Sequence, residues 1–341
     1  MSKREISNIE PFNDIWFNGN LPNCLYSALF PIVNHYVGSL DPFLLNGVYL
    51  YEYSNNEGNT SIDLKLQEFI DVFKLCSTLG IHVKPKLIST DIINDIIASV
   101  DNMNPVIIFI DCFYESIRKD TYQKIHWSHA LLIYGYDSQK EIFNVLEHDY
   151  NENLTYLKRE ISFSDIFSSY KGYLENFGSL NNYTFIEFSK CFEDSQKSYG
   201  TEKHVTSFID NILLKKEEII NSLDYIKKFT EDIHPLLLSE SISQTDMDNI
   251  INGFNNIINN KKSSIYIFKK VFGNDPTILN HHNDIINSWN FIRSVFLKYR
   301  FSSMRSTKYF EACITRLMQV YEFEKSYHEF YFQFLDSKKN C

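Results

Sequence analysis

Apolar positions along the chain follow two different periods. In the N-terminal part, helical and strand patterns alternate. Residues 24–36 space their apolar groups for a helix, which Pro31 is expected to kink or to split into two shorter pieces. Over 64–79, Leu66, Phe69, Ile70, Phe73 and Leu75 fall at helical spacing, and Gly80 supplies a stop. A short helix is expected over 90–100, with Thr90 or Asp91 as its cap. The period then changes. Pro-Val-Ile-Ile-Phe-Ile-Asp at 105–111 is a continuous apolar run, which suits a strand buried on both faces. Runs at 130–136 and 142–146 predict two more strands, joined by Asp137-Ser138-Gln139-Lys140 as a hairpin-like turn. Alternation over 183–188 predicts a last strand.

Beyond about residue 195 strand signals vanish and amphipathic helical patterns take over. Phe208, Ile209, Ile212, Leu213, Ile219, Ile220, Leu223 and Ile226 lie along one stripe, and Ile250, Ile251, Phe254, Ile257 and Ile258 along another. The stretches 282–300 and 303–335 predict two long helices. No internal repeat of fixed period is present. The fold class expected is α+β: a mixed domain over 1–195, followed by an all-α domain over 196–341.

Composition narrows what such a protein can do. At 341 residues the chain exceeds what one core supports, and 44% hydrophobic and 16% aromatic residues are enough for two. A net charge of −10 argues against a nucleic-acid partner and against an anionic membrane surface. No run reaches the roughly 18 apolar residues of a membrane span, and Met-Ser-Lys-Arg-Glu leads into a polar segment rather than a secretion signal. The cysteines at 24, 76, 112, 191, 313 and 341 are scattered, as reduced thiols are. A cytoplasmic protein is expected.

Against that background one cysteine stands out. Cys24, in Asn-Cys-Leu-Tyr-Ser-Ala-Leu at 23–29, falls in the first turn of a predicted helix, where the helix dipole favours a thiolate. Alone it would read as a small buried hydrophobe. Downstream, His129 opens the apolar strand His-Ala-Leu-Leu-Ile-Tyr-Gly-Tyr-Asp, so a base is placed where a buried strand emerges. The next strand ends in Glu147, and Asp149 shares its face if the strand continues. Glu147 is preferred as the acid that orients His129, because its strand position is better defined; Asp149 is the alternative. His126 is a competing base, ranked lower because it falls in a loop, and His148 has the wrong parity. An oxyanion would need donors: the backbone N–H of Cys24 is one, and the side-chain amide of Asn18, in a loop marked by Gly19 and Pro22, is a candidate second. Cys112 is a rival nucleophile without a helix start. Neither Cys-x-x-Cys nor His-Glu-x-x-His occurs, and 11 glycines leave little for a phosphate cradle, so neither a metal nor a cofactor is expected.

Helix-borne cysteine, then histidine and acid on adjacent strands, with an amide six residues before the cysteine, resembles the papain-like cysteine-protease fold. The wording around His129 is similar to the double-glycine leader peptidases of that fold. It is closer still to the N-terminal domain of the butirosin-type acyltransferases, including the amide synthetases of closthioamide-like polythioamide assembly lines. The resemblance covers residues 15–190 or so. It implies that Cys24 is the nucleophile, His129 the base and Asn18 the oxyanion amide. Glu147 falls where that family usually has Asp. It also implies an acyl group taken from an acyl or peptidyl carrier-protein thioester, whose 4′-phosphopantetheine belongs to the carrier, and passed to an amine acceptor. A peptidase or thioesterase with the same residues, and a non-catalytic carrier-binding scaffold, are the rival expectations.

Overall fold

The computed structural model of the chain describes residues 3–12, 24–56, 59–150, 153–178, 183–191, 201–239, 242–301 and 307–339. In chain order come β1 (Lys3–Glu5), α1 (Cys24–Val37), α2 (Asp41–Leu44), β2 (Gly47–Asn56), β3 (Asn59–Glu68), α3 (Val72–Thr78) and β4 (Ile81–Lys86). Next are α4 (Ile92–Asp101), β5 (Val106–Asp111), β6 (Ser128–Asp137), β7 (Ile142–Tyr150), β8 (Asn153–Ser162), α5 (Phe163–Phe177) and β9 (Phe185–Lys190). Helices complete the chain: α6 (Thr201–Leu214), α7 (Lys216–Ser222), α8 (Asp224–Leu238), α9 (Gln244–Phe272), α10 (Pro276–Phe301) and α11 (Thr307–Lys339). The protein is mixed α+β with an antiparallel sheet and a helical C-terminal region. No helix among the described residues is long and apolar enough to cross a membrane.

The chain forms two compact units, Met1–Phe43 with Asp71–Tyr199, and Leu44–Ile70 with Gly200–Cys341. In the first, an antiparallel sheet runs in the order β4-β9-β5-β6-β7-β8, and β1 pairs with the far end of β6. The run at 105–111 does become a strand buried along its whole length, and β6 is buried over its eight central residues. Alternate residues of these strands build one core: Val106, Ile108 and Ile110 of β5, Leu131 and Ile133 of β6, and Phe143 and Val145 of β7 pack with Ile96 of α4 and Ile166 of α5. Asp91 accepts from the Asn94 N–H and caps α4, which resolves the choice between Thr90 and Asp91.

Of the two outcomes expected at Pro31, a split of α1 does not occur: the proline lies inside one continuous helix, held by burial of Leu25, Tyr26 and Ala28 through Val33, which offsets the lost N–H bond. The helix expected over 64–79 is two elements. Residues up to Glu68 are strand, and only Val72–Thr78 is helix, started by Asp71, whose carboxylate accepts from the N–H groups of Phe73 and Lys74. Gly80 closes that segment at φ +74°, a conformation that favours glycine.

The hairpin of β2 and β3 explains why the boundary is not simply at 195/196. It belongs with the helices. Tyr51 of β2 and Ile62 and Leu64 of β3 are buried in one core with Phe254 of α9 and Trp289 of α10. Helix α9 approaches β3 so closely that a Cβ on Gly253 would lie 1.9 Å from the Ile62 carbonyl oxygen. Asp246 at the start of α9 accepts from the Thr60 N–H at 2.7 Å. A two-stranded hairpin has only marginal stability by itself, so its apolar face needs the helical core. The single stripe read across 208–226 is three helices, with breaks at Lys215 and Leu223. Apolar spacing is preserved across both breaks, which is why the pattern hid them.

Candidate functional site

Cys24 is the first described residue of α1. In the sheet, β6 and β7 are antiparallel neighbours, with Leu132 opposite Leu146. His129 follows the parity of Leu131 and Ile133, and Glu147 that of Phe143 and Val145, residues that share one core face. The two polar side chains therefore end up side by side at the open end of that face. His129 Nε2 lies 2.9 Å from Glu147 Oε2, and both side chains are almost wholly buried. The contact is an ion pair with the oxygen off the ring N–H axis rather than a linear hydrogen bond. The Cys24 thiol hydrogen-bonds His129, and since Nε2 faces Glu147, Nδ1 is the atom left for it.

The electrostatics of the three groups are mutually dependent. Burial pushes the Cys24 thiol up, but the hydrogen bond and charge of His129, together with the N–H groups of Ala130 and Cys24, outweigh it and hold the thiol below its ordinary value. Burial pushes His129 down, yet the charge of Glu147, then its contacts with Cys24 and Glu147, hold it well above an ordinary imidazole. Burial would likewise raise Glu147, but the charges of His129 and Arg118 keep it ionised and well below the usual carboxylate range. A thiolate beside an imidazolium, backed by a carboxylate, is the protonation state this arrangement favours.

Glu147 is itself anchored. Arg118 Nη1 donates to Glu147 Oε1 at 3.0 Å, and the same guanidinium forks onto Asp120 at 2.9 and 2.8 Å. The His148 backbone N–H donates to Glu147 Oε1 at 2.7 Å. Close by is Glu115, fully buried, with neither oxygen paired to a nitrogen or oxygen; the Cys112 thiol is turned to it. Burial and the Glu147 charge push Glu115 far up, so it is held as a neutral acid.

The rivals are accounted for by the same geometry. Burial, with the charges of Glu115 and Glu147, drives the Cys112 thiol far above its ordinary value, which disqualifies it as a nucleophile. His126 is in the loop before β6, as expected, and is engaged elsewhere: its Nδ1 meets Asp111 Oδ2 at 2.6 Å and its ring stacks on Phe113 at 4.3 Å. The His148 ring packs at a tilt on Tyr156, centroids 3.9 Å apart, and lies 6.1 Å from the ring of His129. Burial pushes it down to about 4, so it sits neutral beside the charged pair. Asn18 lies outside the described residues, and so does the side chain of Asp149.

Arg118, Asp120 and Glu115 were not singled out from the sequence. They fall in the loop Cys-Phe-Tyr-Glu-Ser-Ile-Arg-Lys-Asp at 112–120, which has no period to read and whose charges look like an ordinary solvated surface. Its one usable signal was an arginine two residues from an aspartate, the spacing of a local fork. No protein-family model matches this chain, and no curated protein matches it.

Proposed function

We propose that this protein is a cysteine-dependent acyltransferase of papain-like fold, which forms an amide from a carrier-bound acyl thioester and an amine. The observation that carries the reading is the Cys24 thiol hydrogen-bonded to His129, which in turn lies 2.9 Å from buried Glu147. The resemblance around Cys24 and His129 supports the choice of acyl transfer among the reactions such a thiolate can perform.

The steps follow from the protonation state. The Cys24 thiolate attacks the thioester carbonyl carbon, with the Cys24 N–H at the start of α1 available to the developing oxyanion. The bond to the pantetheine sulfur breaks, and that sulfur takes the proton of the His129 imidazolium. The amine then attacks the Cys24 acyl thioester and gives its proton to His129. Cys24 departs as thiolate and the starting ion pair is restored. A thioester is already activated, so no nucleotide is consumed. Glu147 stays ionised throughout and stabilises the imidazolium, with Arg118 holding it in place.

The test is mass spectrometry of the intact protein after incubation with an acyl-loaded carrier protein. An adduct of the acyl mass on wild type, absent in Cys24→Ala, is expected. Addition of an amine should discharge it as amide; discharge as free acid would indicate a thioesterase instead. An untouched carrier thioester with no Cys24-dependent adduct would refute the proposal.

A further inference from the structure

The start of β6 carries backbone groups that the sheet does not use. Strands β5 and β6 run in register with Ile110 opposite His129 and Asp111 opposite Ser128, and the Cys112 N–H donates to the Trp127 carbonyl at 2.9 Å. In an antiparallel strand the N–H and C=O of successive residues turn to opposite sides. Trp127, His129 and Leu131 therefore direct theirs to β5, while Ser128, Ala130 and Leu132 direct theirs to the β7 side. Of these last three, only Leu132 is met by a strand partner, Leu146, where the ladder between β6 and β7 stops.

In continued register Ala130 would meet His148. The two strands part instead, and the His148 backbone is engaged elsewhere: its N–H donates to Glu147 Oε1 at 2.7 Å and its carbonyl accepts from Arg159 Nη1 at 2.7 Å. Cys24 occupies part of the opening, since the Ala130 N–H donates to its thiol. The free edge of β6 thus faces the nucleophile. What is left of that edge is the carbonyl of Ala130 and both backbone groups of Ser128. Ala130 is buried, but Ser128 is half-buried and the preceding Trp127 is 58% exposed, so the edge emerges to solvent through Ser128. Among the described residues nothing pairs with the Ser128 N–H or carbonyl on the β7 side.

We propose that the Ser128 carbonyl accepts a hydrogen bond from a substrate amide N–H placed three bonds from the thioester sulfur, as at the cysteamine end of a pantetheine arm, so that the arm lies along β6 as a short added strand. This rests on the acyl-transfer reading and gives the leaving half of the substrate its own site. The spacing fits. The Ser128 carbonyl and the Ala130 N–H fall within one two-residue strand repeat, about 7 Å. The Cys24 sulfur stands at the Ala130 end of that interval, and a thioester sulfur beside it, two methylenes and an N–H span the rest. The contact reads an amide proton and nothing else of the arm. An ester or an N-methyl amide of similar shape offers no proton and leaves the carbonyl unpaired.

Three butanoyl thioesters test this on the full-length protein: those of N-acetylcysteamine, of N-methyl-N-acetylcysteamine and of 2-mercaptoethyl acetate, in which an ester oxygen replaces the N–H. Acylation of Cys24 is timed by intact mass, and each rate is divided by that of the same thioester with free N-acetylcysteine, which removes differences in leaving-group reactivity. The N-acetylcysteamine thioester should acylate Cys24 at least about tenfold faster than the other two. A second measurement reads the carbonyl itself. Ser128-His129 is the one Ser-His pair in the sequence, so protein labelled with carbonyl-¹³C serine and ¹⁵N histidine gives a single carbon–nitrogen cross-peak. In Cys24→Ala, saturation with the N-acetylcysteamine thioester should move the Ser128 carbonyl carbon downfield, and the 2-mercaptoethyl acetate thioester should not. Equal normalised rates, or a carbonyl signal that responds alike to both ligands or to neither, overturn the proposal and leave the acyl-transfer reading standing. If an acyl-loaded carrier loads Cys24 and none of the three small thioesters does, the carbonyl shift decides; if the carrier fails as well, the acyl-transfer reading falls and this proposal with it.

Discussion

Glu147→Gln is the substitution that most directly tests how Cys24 is activated. It keeps the shape of the side chain and removes one buried charge, 2.9 Å from His129 Nε2. At an effective dielectric constant of about 20, unit charges about 3 Å apart attract by about 5 kcal/mol. Part of that attraction offsets the burial of the carboxylate. In the variant, moreover, the Arg118 charge remains nearby, no longer countered by Glu147, and it opposes protonation of His129. A loss of at least about 1.4 kcal/mol in the thiolate–imidazolium pair is a conservative expectation, which is one pH unit. The assay is alkylation of Cys24 by limiting iodoacetamide as a function of pH, quantified by peptide mapping so that the other thiols are scored separately. Wild type should show its half-maximal rate below the ordinary thiol value of 9.0. In Glu147→Gln the half-point should rise by about one unit or more. If it stays within a few tenths of a unit while circular dichroism reports an intact fold, Glu147 is not what holds His129 charged.

Glu115→Gln should behave in the opposite way, leaving the Cys24 profile near that of wild type, because an amide mimics the neutral acid. Since burial and Glu147 raise the Glu115 pKa above 4.5, its favourable contribution is complete below that pH and is lost as the pH rises through the raised value. Urea denaturation from pH 4.5 upward should therefore fall less steeply in Glu115→Gln than in wild type. Arg118→Met strands Glu147 and Asp120 without their shared cation and should cost about 3 kcal/mol or more in urea denaturation. Gly253→Ala puts a methyl 1.9 Å from the Ile62 carbonyl oxygen; a loss of about 1–3 kcal/mol, followed by the fluorescence of buried Trp289, is expected.

Much of the site could be read before any coordinates. That Cys24 belongs to a helix followed from local spacing alone, and α1 does contain it. Strand parity narrowed the acid to Glu147 or Asp149 and set His148 aside, because a period of two fixes which side chains of one strand share a face. What parity could not supply was the register between β6 and β7, and it is the pairing of Leu132 with Leu146 that brings Glu147 and His129 together. The Arg118 fork and the neutral Glu115 were invisible for another reason: they act from a loop, where neighbours in space are not set by any local period. The misreading of 64–79 has the same origin, since strand residues Leu64 and Leu66 and helix residues Phe73 and Leu75 happen to be spaced as one helix.

The sequence by itself determined the local elements, the placement of a thiol on a helix, and the presence of a base and an acid on successive strands. These follow from short-range periodicity and from the chemistry of single residues. Only the tertiary structure decided that the hairpin of β2 and β3 joins the helical core, because that choice depends on Gly253 letting α9 close on β3. It likewise decided which charges are buried together, and so which groups stay ionised: desolvation and Coulomb energies depend on distances that no spacing along the chain encodes.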